Sequence, residues 1–404
     1  MRKAPFPMPA VDDSTRFAAD RVRNASPSPT IAVSDRARAL RAEGIDVIDL
    51  GGGDPDFITP AHIRQAAIDA MNAGDTHYVA SNGIPALRNA IARKLAADNG
   101  IEVEPAGVLV TPGGKQALFS AAMAFVQPGV DVLVLDSSWV SYVPMIELAG
   151  GNPVRIELDP DDGFTVRRKL LEAAITPDTR VILVNSPNNP TGRVLRAEEL
   201  EAIRSLAIER DLLVWSDEIY EKIVYGDARH VSLASLPGMA ERTLTFNGFS
   251  KAYAMTGWRL GYVAGPTPLV AQIAKVHSHS ITCASSFGQA GGVAALEGDQ
   301  GVVAEMVTAW DRRRQLVTDG LNAVNGLRVA PIEGGFYAFV DGRQTGVDDV
   351  TLAARLLEEA HVAVVPGSAF GAAGNGHIRL SFATSDEALS SAIDRIAGVL
   401  GTRA

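Results

Sequence analysis

The chain has 404 residues, of which 47% are hydrophobic, and this composition predicts a large buried core and excludes a disordered protein. It carries 37 Lys and Arg against 47 Asp and Glu, a formal net charge of -10, which argues against nucleic-acid and anionic-membrane partners. Cys283 is the only cysteine, so an internal disulfide and a thiolate zinc site are excluded, and we expect no metal and a reducing, cytoplasmic location.

The first ten residues contain three prolines and no apolar core of the kind that a signal peptide needs. No later apolar run is long enough to span a bilayer. We therefore expect a soluble protein without a targeting segment.

Short apolar runs alternate with stretches of helical period through the middle of the chain. The predicted strands lie at residues 108–110, 132–135, 181–184, 212–215, 244–246 and 260–263. Most are separated by enough residues for a crossover helix, so the pattern predicts an α/β fold with a mainly parallel sheet covered by helices on both faces.

The pattern changes near Val303, where a long charged amphipathic helix begins. A strand at 334–340, another helix and a strand at 362–365 follow, which predicts a second, smaller α+β unit. Residues 14–49 have no place in the main sheet and are expected to pack on that unit. The predicted domains are 1–60 and 301–404, which together form the small domain, and 61–300, the large domain.

Polar segments follow three of the predicted strands: NSPNNPTG at 185–192, SDEIY at 216–220 and NGFSKAYAMTGWR at 247–259. Alone, each has an ordinary explanation, namely a turn, a helix N-cap and a loop with a surface lysine. Together, at the carboxyl edge of one sheet, they predict a site.

These segments resemble the signature of class I aminotransferases, the fold-type I pyridoxal-phosphate family, and the resemblance runs from about residue 31 to residue 400. The similarity is to the bacterial aspartate aminotransferase branch. It implies a large domain with a mostly parallel central sheet of the seven-stranded type, a small domain built from both chain ends, and a homodimer with active sites at the subunit interface.

The resemblance also implies roles around the ring of pyridoxal 5'-phosphate. Lys251 corresponds to the lysine that holds the cofactor as a Schiff base and then carries the proton. Asp217 corresponds to the partner of the ring nitrogen, whose charged form a carboxylate stabilises. Asn189 and Tyr220 correspond to donors to the ring's phenolic oxygen, and Trp139 to the aromatic residue that stacks on the ring.

The phosphate group is expected where TPGGKQAL, at 111–118, opens a helix, because a helix N-terminus presents free N–H groups. The resemblance assigns phosphate contacts to Gly114 and Lys115, to Arg259, and to Tyr78 from the neighbouring subunit; a partly buried core position for Tyr78 is the alternative. Many relatives have serine where this chain has Gly248, so whether Ser250 supplies that hydroxyl is left open.

For the substrate, the resemblance implies that Arg379 binds the α-carboxylate, which a planar guanidinium suits, with Gly53, Asn189 and Trp139 beside it. Lys115 is expected to recognise a distal carboxylate, which favours aspartate and glutamate. Some members of this branch accept prephenate with the help of a basic residue. Ser26 stands at that position, although Thr30 keeps the expected hydroxyl, so prephenate is disfavoured as a substrate.

The predicted activity is transfer of an amino group from an L-amino acid, foremost L-aspartate, to 2-oxoglutarate in a ping-pong cycle. Aromatic or other amino donors are one alternative, and a lyase or cyclase that uses the same cofactor is another. A regulatory binding module is disfavoured, because the residues before Ile31 are too few for an added DNA-binding domain.

Overall fold

A computed structural model describes residues 17–25, 27 and 29–403. The strands are β1 (Ile48–Asp49), β2 (Val108–Thr111), β3 (Asp131–Asp136), β4 (Asn152–Glu157), β5 (Thr179–Asn185), β6 (Leu213–Asp217), β7 (Thr243–Gly248), β8 (Gly261–Ala264), β9 (Arg328–Val329), β10 (Tyr337–Asp341), β11 (Val362–Ala363), β12 (Val365–Pro366) and β13 (His377–Ser381). The α-helices are α1 (Asp20–Arg23), α2 (Pro29–Ala42), α3 (Ala61–Asn72), α4 (Pro85–Asn99), α5 (Gly114–Phe125), α6 (Tyr142–Leu148), α7 (Arg168–Ala174), α8 (Ala197–Glu209), α9 (Thr267–Ser280), α10 (Ser286–Glu297), α11 (Gly301–Asn322), α12 (Asp349–Glu358) and α13 (Asp386–Leu400).

The central sheet has seven strands in the order β2-β8-β7-β6-β5-β3-β4. The neighbours from β7 to β4 pair in parallel, whereas β8 runs antiparallel to both β2 and β7. This confirms the predicted mainly parallel sheet. β4 escapes prediction because it is an edge strand with exposed positions and Pro153, so it lacks the continuous apolar run of the inner strands.

The inner strands are largely buried because helices cover both faces of the sheet. Along β3, Val132 and Val134 pack in one core cluster with residues of α5, whereas Leu133 and Leu135 pack in another cluster with residues of α8. Successive side chains of a strand point to opposite faces, so both sets are buried. Each fully buried side chain of this size stabilises the fold by roughly 1.5–3 kcal/mol.

The smaller unit joins the two ends of the chain. Its antiparallel sheet has the order β12-β13-β10-β9, and β1 pairs in parallel with β11. Val33, Ala37 and Leu40 of α2 pack on Leu357 and Ala363. The predicted α+β unit from both chain ends is thereby confirmed, while the limits at residues 60 and 300 stay predictions.

The single strand predicted at 362–365 is wrong in one respect. β11 pairs with β1, but β12, which begins two residues later, pairs with β13 in the other sheet. Because the two halves of this apolar run bond to different partners, the sequence pattern alone does not reveal the division.

The parallel strands β5, β6 and β7 end at Asn185, Asp217 and Gly248. Since the carboxyl ends of parallel strands meet at one edge of the sheet, the three polar segments that follow them come together there. In the part of the chain that the structure describes, every helix is too short or too polar to cross a membrane.

A buried ion pair anchors the chain directly after Tyr220. Lys94 of α4 bonds Glu221, and the two side chains are 7% and 8% exposed. Asn99 Nδ2 donates to the same carboxylate at 2.5 Å. Burial opposes ionisation of Glu221, but the Lys94 ammonium and the Asn99 amide outweigh it and hold the pKa of Glu221 below its ordinary value.

Lys94→Met leaves the Glu221 carboxylate buried without a counter-charge, so it should lower the free energy of unfolding by about 3–5 kcal/mol. Urea unfolding at neutral pH measures this loss. Because the folded pKa of Glu221 is depressed, the advantage of the wild type is present above the unfolded pKa and disappears as the pH falls through the folded value.

The matched control is Lys222→Met, which breaks the more exposed pair with Asp98, whose side chain is 43% exposed. Such pairs contribute about 0–1 kcal/mol. Equal losses in the two variants would contradict the assigned role of Lys94.

Candidate active site

A cavity of about 490 Å³ opens at the carboxyl edge of the central sheet. Its walls come from the ends of the parallel strands, the start of α5, the helix α2 and the smaller sheet. Among the residues that line it are all but one of the site residues predicted from sequence: Gly53, Gly114, Lys115, Trp139, Asn189, Asp217, Tyr220, Ser250, Lys251, Arg259 and Arg379.

Lys251 lies three residues beyond the end of β7 and projects a primary amine into the cavity. Its Nζ donates to the carbonyl oxygen of Gly53 and lies 5.6 Å from the ring centroid of Phe336. Among the described residues, no carboxylate forms an ion pair with it. The amine is therefore held in position by a hydrogen bond to the backbone and has no carboxylate as counter-ion.

Asp217, the last residue of β6, is 6% exposed. Its Oδ2 accepts a hydrogen bond of 2.6 Å from Tyr142 Oη, and its Oδ1 accepts one of 3.3 Å from the backbone N–H of Ile219. Burial raises the pKa of Asp217 to about 6, although the Tyr142 hydroxyl pulls it down. A buried carboxylate in this state favours a cationic partner in the cavity.

Arg379, in the centre of β13, is 3% exposed. Its guanidinium lies between two aromatic rings, 4.4 Å from the Tyr337 centroid and 4.9 Å from that of Phe370. Nη1 donates to Asn189 Oδ1 at 3.1 Å and Nη2 donates to Gly51 O at 2.5 Å.

No carboxylate within the described ranges pairs with Arg379, and its Nε is buried without a hydrogen-bond partner. Burial also lowers the pKa of its guanidinium, because desolvation penalises the charge. The cation is therefore held ready for an anion that enters the cavity.

The start of α5 forms a second anion-binding end. Gly113 has a φ of +87°, and a Cβ atom there would lie 2.8 Å from Arg259 Nη2, so this position requires glycine. The N–H groups of Gly114 and Lys115, at the first turn of α5, have no intrahelical acceptor.

The Lys115 ammonium lies 4.8 Å from the Trp139 ring centroid. Its pKa is below the ordinary value, first because the cavity walls desolvate the ammonium and then because Arg259 and Lys251 repel it, although the side chain keeps exposed surface. Three cationic side chains thus converge on this end of the cavity, which favours a multiply charged anion.

Tyr78 is the one predicted residue that does not join the others. Its side chain is 85% exposed and lies outside the cavity of its own chain. This exposure contradicts the alternative of a partly buried core position, whereas the contact from a neighbouring subunit stays a prediction. Ser26 lies outside the described residues, while Thr30 lines the cavity.

The sequence does not predict several residues of the cavity wall, among them Tyr142, Tyr337 and Arg38. Tyr142 bonds Asp217, Tyr337 contacts Arg379, and Arg38 lines the outer wall on α2. In the sequence, Tyr142 and Tyr337 resemble ordinary core aromatic residues and Arg38 resembles an ordinary surface charge. Their role is not visible there because the cavity that they share forms only when distant segments of the chain come together. The helical spacing of Ser34 and Arg38 is the one available signal, since residues four apart share a helix face.

The buried carboxyl of Asp217 has a consequence for stability. Its pKa rises from 3.8 to about 6 on folding, so between these values the unfolded chain loses the proton first and stability falls as the pH rises. Asp217→Asn removes this penalty and keeps an oxygen for Tyr142. Without any ligand, the variant should be more stable than the wild type by about 3 kcal/mol at pH 7.

Thermal unfolding across pH measures the difference, which should vanish below about pH 4, where both side chains are neutral. Asp131→Asn, at the start of β3, is a control at another buried aspartate of the sheet, whose oxygens accept bonds from Asn152 and Thr176. A wild type as stable as Asp217→Asn at pH 7 would contradict the raised pKa.

Residues 45–396 match the model of the family described as aminotransferase class I and II. An aspartate aminotransferase from Musicola paradisiaca is 46% identical over 384 residues, which covers 95% of this chain and 96% of the relative. An aspartate/prephenate aminotransferase from Thermus thermophilus is 45% identical, with 94% of this chain and 98% of the relative covered.

The solved structure of the aspartate aminotransferase from Thermus thermophilus with maleate has a TM-score of 0.91 to this chain at 44% identity, with 95% of this chain and 99% of that chain covered. Family, fold and near-complete coverage agree with the motifs at the edge of the sheet. The chain belongs to the class I and II aminotransferase family, and it is an aminotransferase.

Proposed function

We propose that this aminotransferase uses pyridoxal 5'-phosphate to move the amino group of an L-amino acid, foremost L-aspartate, to 2-oxoglutarate in a ping-pong cycle. The observation that supports the proposal is that three groups line one cavity. They are the amine of Lys251, which has no carboxylate partner, the buried carboxyl of Asp217, and the guanidinium of Arg379, which also has no carboxylate partner.

The donor set of the cavity suits this cofactor. The free N–H groups at the start of α5 and the Arg259 guanidinium suit a phosphate dianion, and Ser250 lines the same cavity. Asp217 would face the ring nitrogen, Asn189 and Tyr220 the phenolic oxygen, and Trp139 the ring face. When bound, the cofactor supplies an electron sink for the charge that develops at the substrate Cα.

The residues of the chain then have distinct tasks. Asp217, held by Tyr142, would keep the ring nitrogen protonated, because an ionised carboxylate beside that nitrogen would favour its charged form. Lys251 Nζ would hold the cofactor covalently and, once released, move the proton at the substrate Cα. Arg379 binds and orients the α-carboxylate through two parallel N–H groups.

The preference for acidic substrates is proposed from charge. Lys115 lines the cavity, and a relative of this chain is named as an aspartate aminotransferase. Arg38 is a second candidate for the distal carboxylate, since its partner Asp35 is 57% exposed and such surface pairs open readily. The name of one relative includes prephenate, which keeps a larger dicarboxylic substrate as the alternative.

A homodimer is also proposed. Tyr78 is 85% exposed and Ile58 is 78% exposed, and three further apolar side chains with substantial exposure line one surface hollow beside Arg259: Ile68, Met71 and Phe287. Apolar surface of this kind marks a contact with another protein, and a second copy would bring Tyr78 to the phosphate end of its partner's cavity.

The direct test is a half-reaction. The yellow, cofactor-loaded protein mixed with L-aspartate alone should lose its colour and release oxaloacetate, because the amino group stays on the protein; 2-oxoglutarate should then restore the colour and yield glutamate. Ammonia released without any oxo acid would instead indicate a lyase.

Lys251→Ala should abolish both the colour and the half-reaction. Lys275→Ala, at an exposed lysine of α9 that bonds Gln272, serves as the matched control and should behave as the wild type. Near-normal turnover in Lys251→Ala would overturn the proposed function.

Substrate preference is tested at Lys115. Lys115→Met keeps the backbone N–H and removes the ammonium, so kcat/KM for aspartate and glutamate should fall about 10- to 100-fold, the loss expected for one charged hydrogen bond. Alanine has no distal carboxylate and should change by less than about 2-fold. The same donor panel with Arg38→Leu tests the second cation.

Arg36→Leu is the control for Arg38→Leu. Both arginines lie on α2, but Arg36 pairs with Glu358 and does not line the cavity. If Lys115→Met affects alanine as much as aspartate, Lys115 does not recognise the distal group.

A further inference from the structure

Tyr337, the first residue of β10, touches three parts of the cavity and belongs to no motif recognised in the sequence. It is 2% exposed. Tyr220 Oη donates a hydrogen bond of 3.2 Å to its hydroxyl, and the guanidinium of Arg379 lies 4.4 Å from its ring centroid. One side chain from the smaller sheet thus contacts the proposed binders of the cofactor oxygen and of the substrate carboxylate.

Gly53 is the third contact. A Cβ atom added to Gly53 would lie 2.1 Å from Tyr337 Oη, a distance that no pair of unbonded heavy atoms tolerates. The tyrosine hydroxyl therefore occupies the space that a side chain at residue 53 would need. The same glycine accepts the hydrogen bond from Lys251 through its carbonyl oxygen, so Tyr337 also limits the position of the segment that holds the lysine.

We propose that Tyr337 is a positioning residue for the transamination reaction: its hydroxyl orients Tyr220, and its ring face holds Arg379. This inference rests on the proposed function and deepens it. Tyr337 then sets the distance between Tyr220, which would donate to the cofactor oxygen, and Arg379, which would bind the substrate carboxylate.

The direction of the hydrogen bond between the hydroxyls of Tyr220 and Tyr337 supports this role. Burial, followed by the neighbouring Tyr337, raises the pKa of Tyr220 well above its ordinary value, so Tyr220 stays neutral and has one proton to donate. Here it donates to Tyr337. If Tyr220 donates to the cofactor oxygen instead, Tyr337 must become the donor to Tyr220, and a phenol that accepts a hydrogen bond is a stronger donor.

The ring acts separately from the hydroxyl. Arg379 has aromatic faces on both sides, Tyr337 on one and Phe370 on the other. These faces attract the cation and restrict its rotation, while its polar edge remains directed at Asn189 and Gly51. Replacing the hydroxyl and replacing the ring should therefore disturb different steps.

Tyr337→Phe removes only the hydroxyl. The pH at which the visible absorbance of the cofactor-loaded protein titrates should rise by about 0.5–1 pH unit, the effect of one neutral hydrogen bond. The reason is that Tyr220 loses the hydrogen bond from Tyr337 and then stabilises the ionised ring oxygen less well. KM for the amino donor should stay within about 2-fold, since Arg379 keeps its aromatic face.

Tyr337→Leu removes the ring as well, and KM should then rise about 10-fold relative to Tyr337→Phe. Gly53→Ala approaches the same hydroxyl from the other side and should reproduce the shift in the absorbance titration, even if a Tyr337 variant fails to fold. Binding of the unreactive dicarboxylate succinate, followed by calorimetry, reports the carboxylate contact independently of turnover.

Tyr225→Phe is the matched control. Tyr225 is also buried and donates a hydrogen bond of 2.6 Å to Gly335 O, two residues before Tyr337, but it does not line the cavity. It should lower the unfolding temperature and leave the absorbance titration where it is.

An unshifted titration in both Tyr337→Phe and Gly53→Ala, with normal wild-type colour, would overturn the role of Tyr337 alone. The same shift in Tyr225→Phe would also overturn it, by reducing it to a general loss of packing. Absence of a coloured wild-type protein would overturn the proposed function, and the role of Tyr337 with it.

Discussion

Burying a carboxylate without a bonded cation is unfavourable, and the candidate active site is built around such a carboxylate, that of Asp217. The carboxyl ends β6 inside the protein, with a phenol and a backbone N–H as its hydrogen-bond partners. Asn185, at the end of β5, donates to the backbone carbonyl of Asp217 at 2.9 Å and holds the strand end in place. The folded protein thus keeps a destabilising group at the place where the ring of the proposed cofactor would supply a cation, a common exchange of stability for function.

The cavity exists because two sheets meet. The central sheet contributes Asp217 from the end of β6 and Asn189 and Lys251 from loops at its carboxyl edge. The smaller sheet contributes Tyr337 and Arg379 from neighbouring strands, where residues 339 and 379 are paired in register. The contact between Arg379 and Asn189 crosses the boundary between the units. The proposed substrate binding at Arg379 is therefore coupled to the arrangement of the two units, because neither holds the complete set of residues.

The charges of the cavity complement its proposed ligands. The whole chain carries a net charge of -10, yet Lys115, Lys251, Arg259 and Arg379 bring four cationic side chains to one cavity, which the buried Asp217 also lines. Phosphate, ring oxygen and substrate carboxylate are all anionic, so the local field opposes that of the molecule as a whole. This contrast would draw small acids into the site and keep larger polyanions from the rest of the surface.

The sequence by itself determined the inner strands, the two-unit organisation, the polar segments at the strand ends and the family. Those features are local, because a buried parallel strand needs a continuous apolar run and a strand end needs a turn. Tertiary structure alone decided the antiparallel direction of β8, the division of 362–365 between two sheets, and the places of Tyr142, Tyr337 and Arg38. Each depends on a contact between residues far apart in the chain, and no local pattern encodes which distant partner an apolar strand or a buried phenol will meet.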